Sequence, residues 1–184
     1  MFLIKNNYYL YIENTKDLNL DTLKVNRKIN IILRNIKKNT IHEIIKYRKK
    51  CKEKRIKFYI ANNTNIAKAC GADGLYISSY NKKKNYTNIP KIGSAHNLKE
   101  ILEKIMQGCE NVFFSRLFRT HYANKKTFLG VVKFNLIQIN FKKKLIPLGG
   151  INSNNLLKLN MVRCEGLSML SEVKKKPAIT SRLF

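Results

Sequence analysis

The segment KIGSAHNLKEILEKIMQGCENVFFSRLF (residues 91–118) contains one complete strand–helix–strand unit. Its ends, residues 91–94 and 111–118, are short apolar runs, and the part between them carries helix signals. Asn97 stands at the position of an N-cap, Glu100 follows at capping-box spacing, and Gly108 stands where the helix should stop. A strand, a helix and a second strand in this order predict two parallel strands joined by a crossover helix.

The same alternation runs along all 184 residues. Most of the apolar runs are continuous rather than alternating, which is typical of strands covered on both faces. Further helices are predicted to begin near Thr40 and in NSNNLLKLN (152–160), whereas the connections 13–28 and 77–90 leave little room for one. The predicted strands are residues 8–12, 29–33, 56–61, 74–77, 91–94, 111–118, 145–150 and 166–170.

Eight strands in this order predict a single domain over residues 1–184, a compact (β/α)8 TIM barrel with shortened helices. The alternative is an open, doubly wound parallel sheet. We find no repeat, proline-rich linker or shift of composition that would predict a second domain.

The net charge of +26 comes from 37 Lys and Arg against 11 Asp and Glu. Such a charge suits an anionic partner, for example a nucleic acid, a membrane surface or phosphorylated metabolites. The lysines are spread over nearly every segment instead of one predicted helix face, and the chain is rich in Lys, Asn and Ile together. We therefore expect compositional drift rather than a nucleic-acid partner.

Membrane and secretory signals are missing from the sequence. No apolar stretch approaches the roughly 20 residues of a membrane span, and MFLIKNNYYLYIEN (1–14) lacks the pattern of a signal peptide. The four cysteines have neither metal-ligand nor redox spacing, so we expect reduced thiols in a cytoplasmic protein.

Polar side chains follow the predicted strands, where parallel barrels carry their active sites. Cations, hydroxyls and amides dominate this rim, and carboxylates are nearly absent from it. Such a set suits phosphate or diphosphate but is poor at holding a divalent metal. The Gly149-Gly150 pair after the seventh strand, together with Leu170-Ser171 after the eighth, predicts a phosphate cup built from backbone N–H groups.

Five segments resemble the thiamine phosphate synthase and thiazole tautomerase superfamily, over roughly residues 29–173. The GADG, the IGSAH, the strand-six loop ending in KKTFLG and the GGI are jointly specific. The segments are IILRNIK (31–37), IANNTNIAKACGADGLYI (60–77), IGSAH (92–96), FFSRLFRTHYANKKTFLG (113–130) and LIPLGGIN (145–152) with CEGLSMLS (164–171).

The resemblance implies a transferase of thiamine biosynthesis. Such an enzyme joins hydroxymethylpyrimidine diphosphate to thiazole phosphate and releases pyrophosphate, so its partners are phosphorylated small molecules and Mg²⁺ is the expected cofactor. By position, the resemblance implies as catalytic residues Arg34, Lys37, Ser94 and Thr120, and as substrate-binding residues Asn62, Asn81, His96, Tyr122, Lys125, Lys126, Gly149, Gly150, Leu170 and Ser171.

The chain departs from the family pattern at several of these positions. Asn62 and Asn81 stand where the family has its two metal-binding Asp residues, so we assign no metal ligand. Lys37 comes one residue later than the family's Arg-x-Lys predicts, Tyr122 replaces a Thr, and Arg116 stands at the position of the tautomerase His. The alternative function is therefore a non-catalytic or altered relative that binds thiazole phosphate or thiamine phosphate.

Overall fold

The computed structural model describes residues 6–23, 28–84, 87–120, 127–141, 144–155 and 157–169. Eight parallel strands pair in chain order, and β1 closes the barrel by pairing with β8 as well as β2. The eight-stranded barrel prediction is therefore confirmed, and the open sheet is wrong. The strands are β1 Asn7–Ile12, β2 Ile29–Leu33, β3 Lys57–Ala61, β4 Gly74–Ile77, β5 Lys91–Ala95, β6 Asn111–Ser115, β7 Leu145–Leu148 and β8 Gly166–Met169.

The α-helices are short, as predicted: α1 Ile41–Glu53, α2 Thr64–Ala69, α3 Leu98–Met106 and α4 Gly130–Asn140. The capping box at the start of α1 is complete, because Thr40 and Glu43 each accept the other's backbone N–H through their side chains. In α3 the Asn97 side chain caps Glu100, while the Glu100 carboxylate accepts the N–H of His96 instead of that of Asn97. None of the helices within the described ranges has the length and apolar character of a membrane span.

One predicted helix and two predicted strands differ in the structure. The helix expected at 152–160 is replaced by two 3₁₀ helices, Ser153–Asn155 and Leu157–Met161. The Asn155 side chain accepts from the Asn152 N–H at 2.9 Å and donates to the Gly150 carbonyl at 2.7 Å, and such local bonds compete with a regular helix. The sixth and seventh strands are shorter than predicted and end at Ser115 and Leu148. After Leu148 the chain turns because Gly149 has φ of +94°, which is outside the strand region.

Along the strands, one set of alternate residues fills the barrel, and the other set packs against the helices. In β1, Tyr9 and Tyr11 belong to the interior cluster, whereas Tyr8, Leu10 and Ile12 pack in the outer layer. The interior is aromatic: Tyr9 meets Phe113 edge to face at 4.9 Å between ring centroids. The interior cluster comprises Tyr9, Tyr11, Ile32, Tyr59, Ala61, Tyr76, Ile92, Phe113 and Ile146.

The GADG motif serves the barrel rather than a ligand. A side chain on Gly74 would lie 2.3 Å from the Tyr59 ring, so glycine there makes room for that tyrosine inside the barrel. Asp73 accepts the Phe58 N–H and one nitrogen of Arg48, each at 2.8 Å, and thereby ties β3 to α1.

Candidate functional site

The carboxyl ends of β2, β3 and β4 enclose a cavity of about 680 Å³. Three of the residues that the resemblance implies, Arg34, Lys37 and Asn62, line it together. The pocket is also lined by residues that the resemblance does not imply, among them Glu13, Tyr76, Ser78 and Tyr80. We call this cavity the strand 2–4 pocket.

Arg34 follows β2 directly and continues its pairing, since its backbone N–H donates to the Ile12 carbonyl at 2.9 Å. The guanidinium carbon lies 5.7 Å from the centroid of the Tyr11 ring, in cation–π geometry. The nearest carboxylate oxygen, from Glu13, is 3.7 Å away, and 42% of the Arg34 side chain stays exposed. Arg34 is thus positioned by an aromatic face while remaining accessible to an anion in the pocket.

Lys37 lines the same pocket despite its displaced position in the sequence. Residues Ile36–Lys38 form a 3₁₀ helix, which has three residues per turn. The turn lies beside the pocket, so that Ile36 and Lys37 both line it together with Arg34. The departure from the Arg-x-Lys spacing therefore still delivers two cations to one cavity.

Asn62 follows β3 in the left-handed backbone region, with φ of +56°, which Asn tolerates better than most residues. Its side-chain oxygen accepts three hydrogen bonds, from the Ser78 N–H and hydroxyl at 3.0 Å each and from the Asn81 amide at 3.1 Å. We call these three residues, Asn62, Ser78 and Asn81, the amide cluster. Asn62 and Ser78 line the strand 2–4 pocket, and Asn81 supports them from behind.

Buried hydroxyl groups lie inside the barrel near this pocket. The Tyr76 hydroxyl donates to the Ser94 hydroxyl at 2.9 Å, and both residues are 6% exposed. Burial raises the pKa of Tyr11 well above its usual value, and the neighbouring Tyr76 raises it further. Among the described residues, the hydroxyls of Tyr11 and Ser168 have no partner in hydrogen-bonding geometry. The Tyr11 hydroxyl thus lies beside the hydroxyls of Tyr76 and Ser168, which shift its pKa in opposite directions, in a polar patch inside the barrel.

His96 pairs with Ser115 across the ends of β5 and β6, with 2.6 Å between Nδ1 and the hydroxyl oxygen. The pair is exposed. His96 therefore lies on the rim beside β6 rather than among the residues that line the strand 2–4 pocket.

The ends of β6 and β7 meet at a second group of predicted residues. Arg116 donates to the Thr120 hydroxyl at 3.0 Å, and a side chain on Gly149 would touch the Arg116 side chain at 3.0 Å. A side chain on Gly150 would lie 2.4 Å from the Phe118 carbonyl oxygen. The strand-six loop backbone therefore packs closely against Gly150, and the role of Gly150 in phosphate binding stays a prediction.

Several predicted site residues cannot be placed. Outside the described residues lie Tyr122, Lys125, Lys126, Leu170 and Ser171. The loop and the eighth-strand half of the phosphate cup therefore stay predictions.

Sequence reasoning missed two residues that only the fold brings to the pocket or to the residues that support it. Tyr76 shares the inward face with Tyr9, Tyr11 and Tyr59, but a continuous apolar run does not reveal which residues face inward. Lys104 is fully buried and donates to the Asn81 carbonyl at 2.6 Å. Burial lowers its pKa. The only sequence signal for Lys104 is its place at the apolar spacing of α3, three residues after Ile101.

The divalent cation expected from the family pattern does not fit the residues present. The amide cluster offers no carboxylate, and the Asn62 oxygen already accepts three donors. Within the ranges that the structure describes, no three His, Cys, Asp or Glu side chains come together as a metal site.

Curated relatives are found among thiamine-phosphate synthases. The chain is 26% identical over 129 residues to the thiamine-phosphate synthase of Prochlorococcus marinus strain SARG. The matched region covers 67% of this chain and 37% of that protein. The chain is 25% identical over 140 residues to the thiamine-phosphate synthase of another Prochlorococcus marinus strain, AS9601, covering 72% and 40%. The chain therefore spans less than half the length of the curated relatives that it matches.

Solved structures share the fold. Thiamine phosphate pyrophosphorylase from Pyrococcus furiosus superposes with a TM-score of 0.76 at 18% identity, covering 96% of this chain and 91% of that one. A 3-hexulose-6-phosphate synthase superposes with a TM-score of 0.67 at 14% identity, covering 96% and 97%. The family model described as thiamine monophosphate synthase matches residues 22–173. The chain therefore belongs to the thiamine monophosphate synthase family.

Proposed function

We propose that the chain is a thiamine phosphate synthase, which joins hydroxymethylpyrimidine diphosphate to thiazole phosphate and releases pyrophosphate. The observation that carries this proposal is the strand 2–4 pocket, which gathers Arg34, Lys37 and Asn62 in a member of this family. Two cations at the mouth of a parallel barrel suit a substrate with two adjacent phosphates.

The reaction breaks one C–O bond and forms one C–N bond. The bond between the pyrimidine methylene and the diphosphate oxygen breaks, and its electron pair leaves with pyrophosphate. The thiazole nitrogen then donates its lone pair to the methylene carbon. Negative charge builds up on the leaving diphosphate, so preorganised cations lower the barrier. In this proposal Arg34 and Lys37 supply that stabilisation.

The aromatic floor of the pocket is the proposed binding place of the pyrimidine. Tyr76 lines the pocket, and its hydroxyl is bonded to Ser94. Electron-rich ring faces stabilise nearby positive charge, such as that which develops on the pyrimidine methylene. The unpaired Tyr11 and Ser168 hydroxyls offer partners for ring nitrogens or an amino group.

The second phosphate, on the thiazole, is assigned to the ends of β6 and β7. Arg116 is a cation held by Thr120 and packed on Gly149, so it lies between two of the residues that the resemblance implies for this phosphate. Carbonyl oxygens beside Gly150 repel an anion, and a guanidinium offsets that repulsion. We propose that Arg116 binds the thiazole phosphate together with backbone N–H groups, which the sequence prediction expected to bind it alone.

The test is to incubate the purified protein with both substrates, with and without Mg²⁺, and to measure thiamine phosphate. We expect Arg34→Gln to lower kcat/KM by about 100-fold, the usual effect of losing one charge-stabilising donor. Lys52→Gln, an exposed cation on α1, is the matched control and should leave kcat/KM unchanged. Equal turnover of the wild type and Arg34→Gln would contradict the assignment of this pocket.

A second candidate function is binding of thiazole phosphate or thiamine phosphate without turnover. The replacement of both expected Asp residues by the hydrogen-bonded Asn62 and Asn81 favours it. In that case thiamine phosphate would bind with measurable heat in calorimetry while the complete reaction mixture yields no product. Detection of product would remove this candidate.

A further inference from the structure

The amide cluster lies where the family resemblance predicts a divalent cation. Its Asn62 oxygen accepts hydrogen bonds from protein donors, so the lone pairs that a cation would need are already used. A metal ligand must present a lone pair to the cation. The Asn62 oxygen has two lone pairs and accepts three donors, two from Ser78 and one from Asn81. A cation could bind this oxygen only by displacing those donors.

The remaining groups of the cluster are also engaged. The Asn62 amide nitrogen donates to the Tyr80 hydroxyl at 3.1 Å, and the Asn81 side-chain oxygen accepts the Lys83 N–H at 3.1 Å. Both amides therefore link loop segments to one another. Their carbonyl oxygens are not directed at a shared point in the pocket.

A cation of helix α3 supports the cluster. The Lys104 ammonium donates to the Asn81 carbonyl at 2.6 Å and to the Gln107 side chain at 2.9 Å. Gln107 in turn donates to the carbonyls of Asn81 and Lys83, at 3.1 and 3.2 Å. Lys104 is completely buried, so its charge is poorly screened. It fixes the Asn81 loop by hydrogen bonds, and its positive charge disfavours a second cation nearby.

The pocket contains one described carboxylate, and this carboxylate faces a cation of the same pocket. Among the described lining residues, Glu13 is the one acidic side chain, and Arg34 lies 3.7 Å from it. Arg34, whose side chain stays 42% exposed, and Lys37 supply positive charge for a bound diphosphate from the segment after β2.

We propose that the strand 2–4 pocket binds the diphosphate group of its substrate without a protein-bound divalent cation, with the Lys104-supported amide cluster as its fixed wall and Arg34 and Lys37 as its counter-charges. The choice of diphosphate as ligand rests on the proposed function. Lys104 is a positioning residue here, because it acts on the pocket through Asn81.

The test uses two binding measurements on the full chain. Inorganic pyrophosphate is titrated calorimetrically in EDTA at 0.15 M salt, and Mn²⁺ uptake is followed by the electron paramagnetic resonance signal of the free ion. We expect pyrophosphate to bind in EDTA, at least 10-fold more weakly in Arg34→Gln, and unchanged in the control Lys52→Gln. We expect no wild-type uptake of Mn²⁺ at millimolar concentration.

The paired variant Asn62→Asp/Asn81→Asp probes the cluster itself. It should take up about one Mn²⁺ per chain, because it restores two carboxylates at the end of β3 and β4. Lys104→Met should weaken pyrophosphate binding several-fold in EDTA, whereas Lys99→Met, on the exposed side of α3, should not.

Stoichiometric Mn²⁺ uptake by the wild type, lost in Asn81→Leu, would overturn the proposal. So would pyrophosphate binding that requires the metal, or no pyrophosphate binding in either condition. These readouts do not depend on turnover, and failure of the proposed function would instead show as missing thiamine phosphate with pyrophosphate binding intact.

Discussion

The Tyr76 hydroxyl donates to the Ser94 hydroxyl at 2.9 Å, and this bond links β4 to β5 inside the barrel. Tyr76 reaches the strand 2–4 pocket, whereas Ser94 is one of the residues that the resemblance implies for diphosphate or thiazole phosphate. The bond therefore connects the pocket of Arg34 with the part of the barrel mouth next to β6.

We expect the Tyr76→Phe and Ser94→Ala variants to be coupled. Each change removes the same buried hydrogen bond, which is worth about 1 kcal/mol, so the double variant should lose less stability than the sum of the two single variants. Urea unfolding of the four proteins of the cycle measures this coupling. Additive losses would show that the two hydroxyls do not interact in solution.

Gly150→Ala should disturb the strand-six loop. Its new methyl group would lie 2.4 Å from the Phe118 carbonyl oxygen, so the loop backbone has to move. Gly130→Ala is the matched control, because both glycines have φ of +71° but Gly130 has nothing within 4 Å of the new carbon. We expect a loss of about 1 kcal/mol for Gly130→Ala and about 1–3 kcal/mol more for Gly150→Ala in thermal unfolding. Similar losses would contradict the close contact.

Arg116→Met should weaken binding of thiazole phosphate at least 10-fold, because it removes the cation between Thr120 and Gly149. Binding of pyrophosphate in the strand 2–4 pocket should change little. Arg163→Met, on an exposed part of the surface, is the control for loss of one positive charge. Calorimetric titration of the three proteins checks this, and unchanged affinity in Arg116→Met would remove Arg116 from the phosphate site.

Asp73→Ala should lower the free energy of unfolding by about 2 kcal/mol, because the Asp73 carboxylate accepts a backbone N–H and a guanidinium bond. Asp21→Ala, whose pair with Lys50 spans 3.4 Å at an exposed site, should cost less than about 1 kcal/mol. Pyrophosphate affinity should be unchanged in both variants, since neither residue lines the strand 2–4 pocket. A strong loss of affinity in Asp73→Ala would mean that its role is not confined to the fold.

Alkaline pH should destabilise the protein through its buried thiols. Burial raises the pKa of Cys109 to about 11 and that of Cys51 to about 12, from an ordinary value of 9.0. Between pH 9 and 11 the thiols of the unfolded chain lose protons that the folded chain keeps. The free energy of unfolding therefore falls as pH rises, and each thiol contributes up to about 1.4 kcal/mol per pH unit. This stabilisation is fully present below the unfolded pKa.

Urea unfolding at pH 8 and pH 10.5, on the wild type and on Cys51→Ala/Cys109→Ala, measures the effect. The double variant should lose less stability over this range than the wild type does. Equal losses would assign the pH dependence to other groups, such as Tyr9, whose pKa burial raises to about 12.

The sequence by itself determined the barrel and the identity of many rim residues. Strand and helix alternation is a local pattern, and the Thr40 and Asn97 caps act within one helical turn, so both can be recognised from a few neighbouring residues. The position of Arg34 at the end of β2 follows from the strand boundary alone.

Only the tertiary structure decided how these residues are joined. Asn62 and Asn81 lie 19 positions apart, and Lys104 is 23 positions from the Asn81 carbonyl that it binds. No local pattern encodes such contacts, because they depend on which neighbouring strands and helices the closed barrel brings together. The same closure places the Phe118 carbonyl beside Gly150, a close approach that leaves no room for a side chain there.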